Sequence, residues 1–190
     1  MNRLIMVRHA EPDIDIGKPA AEWPLTSRGV ESSRRLATVL SRLQPTVIVA
    51  SPERKAVETA MLIAESLELP MSIDERIAEQ GAGPDEFIED YNEFRALVRR
   101  HFESPDDLVF RREPSRAAGE RFGQCVASCG ERAEGTDVPV LVSHGRIMAS
   151  WLGSLVNRPA WDIWNEFRMP DLIEVDLDEA TYRAHEVPLF

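Results

Sequence analysis

Apolar residues along this chain fall into short continuous runs, separated by longer stretches in which they recur every three or four positions. Leu4 to Val7 (LIMV) is a continuous run ending in Arg8-His9, the pattern of a strand buried on both faces. Val47 to Ala50 (VIVA), β-branched and bounded by turn residues, predicts a second buried strand, and Val138 to Ser143 (VPVLVS) a third. Met71 to Ile73 suits a short strand. Residues 10 to 25 hold three prolines and Gly17 and read as loop. Thr26 and Ser27 can then cap a helix reaching about Leu43, with Val30, Leu36, Ala37, Val39, Leu40 and Leu43 on its apolar face and Pro45 as its stop. Ser51-Pro52 fits the start of another helix, with Pro52 at its first position, running through Ala56, Ala60, Ile63 and Ala64 to about Leu67.

The character changes at Gly81, Gly83 and Pro84. Residues 85 to 118 are charged and irregular. Phe87, Ile88, Tyr91, Phe94, Leu97 and Val98 keep helical spacing, but Pro105 and Pro114 interrupt the pattern beyond them. A helical insertion over about residues 82 to 118, lying across one end of the sheet, is expected. Helices over about Ser115 to Glu134 and Gly145 to Val156 come next, with edge strands at Leu172 to Leu177 and Tyr182 to Val187. Strands alternating with helices predict one α/β domain over residues 1–190, a three-layer α/β/α sandwich with a mainly parallel central sheet.

Composition narrows the function classes. Lys plus Arg number 22 against 33 Asp plus Glu in 190 residues, a formal charge of −11, with 43% hydrophobic and 29% charged residues. That balance is ordinary for a soluble globular protein. The acidity opposes sequence-independent nucleic-acid binding, because a polyanion repels a polyanion. No run approaches the ~20 apolar residues of a membrane helix, and the N-terminal run meets Arg8 too soon for a secretory core. Cys125 and Cys129 are four apart on one expected helix face, which suits packing in a reducing compartment better than zinc. A cytoplasmic protein without membrane or nucleic-acid partners is expected.

Three strand ends carry unusual polar residues: Arg8-His9, Ser51 to Arg54, and Ser143-His144-Gly145. In an open parallel sheet, ligands bind at the carboxyl ends of the strands. One such histidine is more often a backbone-bonded strand-end residue; all three main strands sharing the feature argues for a site. Arg8 and Arg54 would form a forked clamp for phosphate oxygens, reinforced by the amides at the start of the helix after His144. A neutral imidazole among them can accept a phosphoryl group and pass it to water.

The chain resembles the histidine phosphatase superfamily, also called phosphoglycerate mutase-like. The blocks that carry the likeness are LIMVRHAEP (Leu4 to Pro12), PLTSRG (Pro24 to Gly29), ASPERKAVETA (Ala50 to Ala60), RIAEQGAG (Arg76 to Gly83) and VSHGRIMASWL (Val142 to Leu152), in the family's order. The resemblance implies His9 as the phosphorylated nucleophile, and Arg8, Arg54, His144 and Gly145 as the phosphate pocket. Glu79, which spacing alone does not separate from Glu75 or Glu86, is implied as proton donor to the leaving group. It also implies a small phosphorylated substrate and no cofactor or metal. A phosphatase acting through a phosphohistidine is expected, with a phosphoglycerate-type phosphomutase and a non-catalytic phosphate-binding module as alternatives.

Several positions depart from the family pattern. Ala10 replaces the usual glycine after the first histidine, Arg121 stands where a Gly-Glu-Ser element ends in serine, and Arg146 replaces a small residue. Arg146 either contacts an anionic substrate or points away. The shorter chain favours hydrolysis over mutase action. His101 and His185 are expected at the surface, and Trp151, Trp161 and Trp164 in the core or an interface.

Overall fold

A computed structural model describes residues 2–80, 88–110, 113–132 and 137–188. Six strands form one sheet: β1 (Arg3–Arg8), β2 (Val47–Ala50), β3 (Met71–Ile73), β4 (Pro139–Ser143), β5 (Asp171–Asp176) and β6 (Thr181–His185). Their order is β3-β2-β4-β1-β5-β6, with the first four mutually parallel and β5 and β6 antiparallel additions. The second C-terminal strand lies at the edge as expected. The first does not: β5 is interior, between β1 and β6, and Leu172, Ile173 and Val175 are fully buried.

Side-chain alternation on the central strands divides the core in two. Ile5, Val7, Ile48, Val140 and Val142 meet Leu36 and Leu40 of α1 (Ser27–Leu40) and Ala56, Ala60 and Ile63 of α2 (Arg54–Leu67). On the other face Leu4, Met6, Val49 and Leu141 pack against α4 (Ser115–Arg132) and α5 (Gly145–Val156), through Phe122, Ile147, Met148 and Leu152. α3 (Tyr91–Glu103) and α6 (Ala160–Glu166) join that second layer through Val98, Ile163 and Trp164. The three-layer α/β sandwich thus has a mostly parallel sheet at its centre. Of the expected insertion, residues 82–87 and 111–112 lie outside the described residues, and α3 falls within the rest.

Local chemistry sets the boundaries. Thr26 caps α1, its hydroxyl accepting the Gly29 N–H at 2.9 Å. A Cβ on Gly29 would sit 2.4 Å from the Glu11 carbonyl oxygen, so only glycine lets the loop after β1 lie against this helix. The second helix starts later than Pro52 suggests, with Glu53 at the N-cap and Arg54 as its first residue.

Candidate active site

The parallel strands end at one level. Arg8 is level with Ser143, the His9 N–H donates to the Ser143 carbonyl at 3.0 Å, and the Ser51 N–H to that of Val142 at 2.9 Å. His9 and His144 therefore leave adjacent strands side by side, their ring centroids 5.0 Å apart and tilted by 59°. The backbone beyond His9 is pinned to α2, where the Ala10 N–H donates to Thr59 Oγ1 at 3.0 Å.

A hydrogen bond defines which nitrogen of the His9 ring carries the proton. His9 Nδ1 lies 2.8 Å from the Ala10 carbonyl, which can only accept, so Nδ1 holds the proton and Nε2 keeps its lone pair. Ser51 Oγ accepts the Glu53 N–H at 3.3 Å and shares a hydrogen bond of 2.7 Å with His144 Nε2. His144 Nδ1 is buried and has no partner among the described residues. Both rings are held neutral. Burial is the main cause for His9, joined by His144, Lys55 and Arg8, and together they push it well below the ordinary histidine value. Burial, then Lys55, brings His144 down to about 3.

Arg8 is half-buried. Its Nη1 reaches the carbonyls of Phe167 and Arg168 at 3.5 and 3.3 Å, while Nε is buried without a partner among the described residues. Burial lowers its proton affinity, against the pull of Glu79, Asp171 and Tyr91. Gly145 makes room for it: a Cβ there would lie 3.2 Å from Arg8 Cζ and 3.3 Å from Trp164 Nε1. The amides following Gly145 serve a carboxylate instead of standing free. Glu79 accepts N–H from Ile147 at 3.1 Å, from Arg146 at 3.2 Å and from Gln80 at 3.0 Å. The turn carrying Glu79 is fixed by Arg121, which donates to the carbonyls of Arg76 (2.8 Å) and Ala78 (3.1 Å) and pairs with Glu113. The arginine in place of serine at this position thus has a structural task.

Two sequence expectations need correction. Arg54 does not join the cluster; its side chain is 56% exposed and bonded to Glu58 at 2.7 Å. The cation that α2 supplies is Lys55, 7% exposed, which pairs closely with Glu53 and donates to the Ala20 carbonyl at 2.8 Å. Helical phase carried this signal: Lys55, Ala56, Thr59, Ala60 and Ile63 share the buried face, whereas Arg54 and Glu58 share the exposed one. Glu53 was also missed; its carboxylate accepts the Glu79 N–H at 2.9 Å and lies 3.6 Å from His144 Nε2. His101 is the second correction. It is fully buried and bonds Gln80 Oε1 at 2.7 Å. His185 is partly buried against Glu174. Glu75 and Asp13 are exposed, and Glu86 lies outside the described residues.

A doubly wound sheet with two neutral imidazoles and an unsatisfied guanidinium at its strand ends defines a class of phosphoryl-handling proteins. The family model described as histidine phosphatase superfamily (branch 1) matches residues 4–186, and the chain belongs to that family. The chain is similar to "Probable phosphoglycerate mutase GpmB" of Escherichia fergusonii, 27% identical over 85% of this chain and 78% of that one. The same-named protein of Shigella boydii is 26% identical over 97% and 89%. Among solved structures, a mycobacterial glucosyl-3-phosphoglycerate phosphatase superposes with TM-score 0.78 at 22% identity, over 97% of each chain. These structures share the fold. Among the described residues, no helix is long and apolar enough to cross a membrane.

Proposed function

We propose that this protein hydrolyses small phosphate monoesters through a phosphohistidine on His9. The observation that carries the reading is the pair of buried, partnerless nitrogens, Arg8 Nε and His144 Nδ1, flanking an imidazole whose Nε2 is free to attack. Buried polar nitrogens are rarely left unmet, and a phosphate dianion would satisfy both, with the His144 proton on Nδ1. Lys55 takes the role first given to Arg54, adding positive charge beside both rings. In the first step His9 Nε2 forms a bond to phosphorus, the ester P–O bond breaks, and the departing oxygen takes a proton from Glu79. In the second, water attacks phosphorus, Glu79 accepts the water's proton, and the N–P bond breaks to restore the His9 lone pair. Arg8, Lys55 and His144 Nδ1–H hold the equatorial oxygens through both steps, where transition-state charge is spread. A dianionic phosphate beside Glu79 raises its proton affinity, which supports its role as acid.

With these cations in the pocket, phosphate needs no divalent ion for neutralisation, so activity is expected to survive EDTA. The chain acts as one domain, in which α3 of the expected insertion reaches the site's border through His101 and Gln80. Cys125 and Cys129, which are not joined in a disulfide, support a cytoplasmic location. The curated relatives bear a mutase name, so the decisive assay supplies 3-phosphoglycerate with a bisphosphoglycerate primer and compares free phosphate with isomer. Phosphate release and acid-labile label on His9 are expected. Isomer as the main product would make the protein a mutase, and label elsewhere would end the phosphohistidine reading.

Glu79 is tested by leaving group. Glu79→Gln is expected to slow single-turnover phosphorylation of His9 by alkyl phosphates about 10²–10⁴-fold. With p-nitrophenyl phosphate, whose phenolate departs easily, the loss is much smaller. Equal losses would move the acid elsewhere.

A further inference from the structure

The role just given to Glu79 meets an obstacle in the resting protein. Its carboxylate accepts three backbone N–H groups, from Gln80, Arg146 and Ile147, and the Arg146 Nε lies 3.5 Å from Oε2. Four donors surround a group that must itself become a donor. A protonated Glu79 would have to turn its O–H away from at least one of them, so the geometry favours the ionised form.

Three of those donors belong to the backbone and are tied to the fold. The fourth is a side chain particular to this sequence. Arg146 sits in the first turn of α5 with its side chain 9% exposed. Its Nη2 donates to the Gln80 carbonyl at 3.1 Å, and its guanidinium carbon lies 4.1 Å from the centre of the Phe110 ring. Nη1 is buried without a partner among the described residues. This packing decides between the two readings that the sequence left open. Two of its three nitrogens are committed to Glu79 and to the Gln80 carbonyl, so Arg146 is a contact within the protein and not a free grip for a second anionic group on a substrate. Neither does it point away. It is clamped between Gln80, Phe110 and Glu79.

The clamp is itself held. Gln80 is fully buried, donating from Nε2 to Ser150 Oγ at 3.2 Å and accepting from His101 of α3. Ser150 Oγ returns to the Arg146 carbonyl at 3.0 Å. His101 remains neutral, pushed down to about 4 by burial and then by Arg146.

We propose that Arg146 is a positioning residue, which keeps Glu79 ionised and seated on the first turn of α5 and so favours water attack on the phosphoenzyme over protonation of the leaving group. The proposal rests on the phosphohistidine reading and extends it. Other groups face Glu79 from each neighbouring element. His144 from the end of β4 and His101 from α3 are neutral. Glu53 at the start of α2 opposes ionisation, whereas Arg8 of β1 favours it. Burial pushes the Glu79 carboxyl up; Arg146, the largest opposing influence, brings it below the ordinary glutamate value. An opposite charge at this range typically lowers a carboxyl by about 1–3 pH units.

The two half-reactions then respond in opposite directions. Phosphorylation of His9 by an alkyl phosphate needs protonated Glu79 and fails as pH rises through its titration. Hydrolysis of the phosphoenzyme needs ionised Glu79 and fails as pH falls. The test measures both steps separately by rapid quench across the acid and neutral range, with a ¹³C NMR titration of the Glu79 carboxyl in the unliganded protein. In Arg146→Met the alkaline limb of phosphorylation is expected to move up by about one pH unit or more, with the NMR titration moving alike. Above the wild-type limb this variant phosphorylates about tenfold faster, while phosphoenzyme hydrolysis slows at low pH. Phosphorylation by p-nitrophenyl phosphate is nearly unchanged. Arg146→Lys keeps the charge and stays close to wild type. Should the methionine variant fail to fold, Arg146→Gln, which can still bond the Gln80 carbonyl, serves in its place. A folded neutral variant whose limb and NMR titration coincide with wild type overturns the proposal. If Glu79→Gln retains the limb, the acid assignment fails instead, a separate outcome.

Discussion

Two charged clusters in this molecule look alike and serve different ends. Around Glu174, on the outer part of the sheet, Arg3 (2.8 Å), Arg183 (2.6 Å) and His185 (2.9 Å) converge on one carboxylate. Burial would raise it, but those three bonds bring it down to about 2. Around His9, Arg8, Lys55 and His144 gather where the strands end. Both clusters perturb titration strongly. The difference is satisfaction: the cations of the Glu174 cluster have their carboxylate, while Arg8 Nε and His144 Nδ1 are buried with nothing to bond among the described residues. A shifted proton affinity marks many structural ion pairs. Unmet donors around a free lone pair mark a place shaped for a ligand.

The largest effect separating the clusters is catalytic. His9→Ala is expected to reduce turnover by about 10⁴-fold or more, as loss of a nucleophile does elsewhere. Vanadate should still bind, because Arg8, Lys55 and His144 remain; loss of both binding and turnover would point to a collapsed pocket instead.

Acid stability should be governed by the imidazoles and not by Glu174. His9, His101 and His144 are all lowered on folding, so their share of stability is complete above an unfolded value of about 6.5 and is lost as pH falls. Between about pH 6.5 and pH 5, His101 and His144 each cost about 2 kcal/mol. Glu174 is also lowered, but its share is lost only below the ordinary glutamate range, as pH falls toward about 2. Urea unfolding at both pH values, with His101→Gln removing one share, measures this. A flat profile would contradict the neutral, buried imidazoles.

Within the site, neighbouring residues on one helix should behave differently. Lys55→Met is expected to weaken vanadate binding about 10- to 100-fold, the loss of one charge-assisted contact. Arg54→Met should change it by less than about twofold, since its partner is Glu58 and its pair is solvent-screened. Equal losses would restore Arg54 to the pocket. Circular dichroism confirms that each variant is folded.

The smallest effect lies outside the site. Glu174→Gln removes the ion pairs to the partly exposed Arg3 and Arg183 and alters the hydrogen bond to His185, and about 1 kcal/mol of stability is expected to go with them. Turnover should be untouched; a large loss would join the two clusters into one system.

The sequence by itself determined the layers, the strands at residues 4–7, 47–50 and 138–143 (the last starting one residue later in the structure), and the convergence of Arg8, His9, His144 and Gly145. Local rules suffice for these: a continuous apolar run is a buried strand, and the residues that end it stand at the strand's end. It also marked Glu79, but through the likeness to a family and not through spacing. Tertiary structure alone decided the rest. The interior position of β5 depends on which neighbour pairs with it, and its short alternating pattern suits an edge equally well. The phase of α2 already places Lys55 beside Ala56, Ala60 and Ile63 and turns Arg54 away; what only the tertiary structure decided is that this face brings Lys55 to Glu53 and to the two imidazoles. His101 is buried because α3 brings it to Gln80, a residue 21 positions away. Arg146 faces Glu79 from 67 positions along the chain. Such contacts cannot be read from periodicity, because periodicity encodes which face is buried and never which distant partner will be met there.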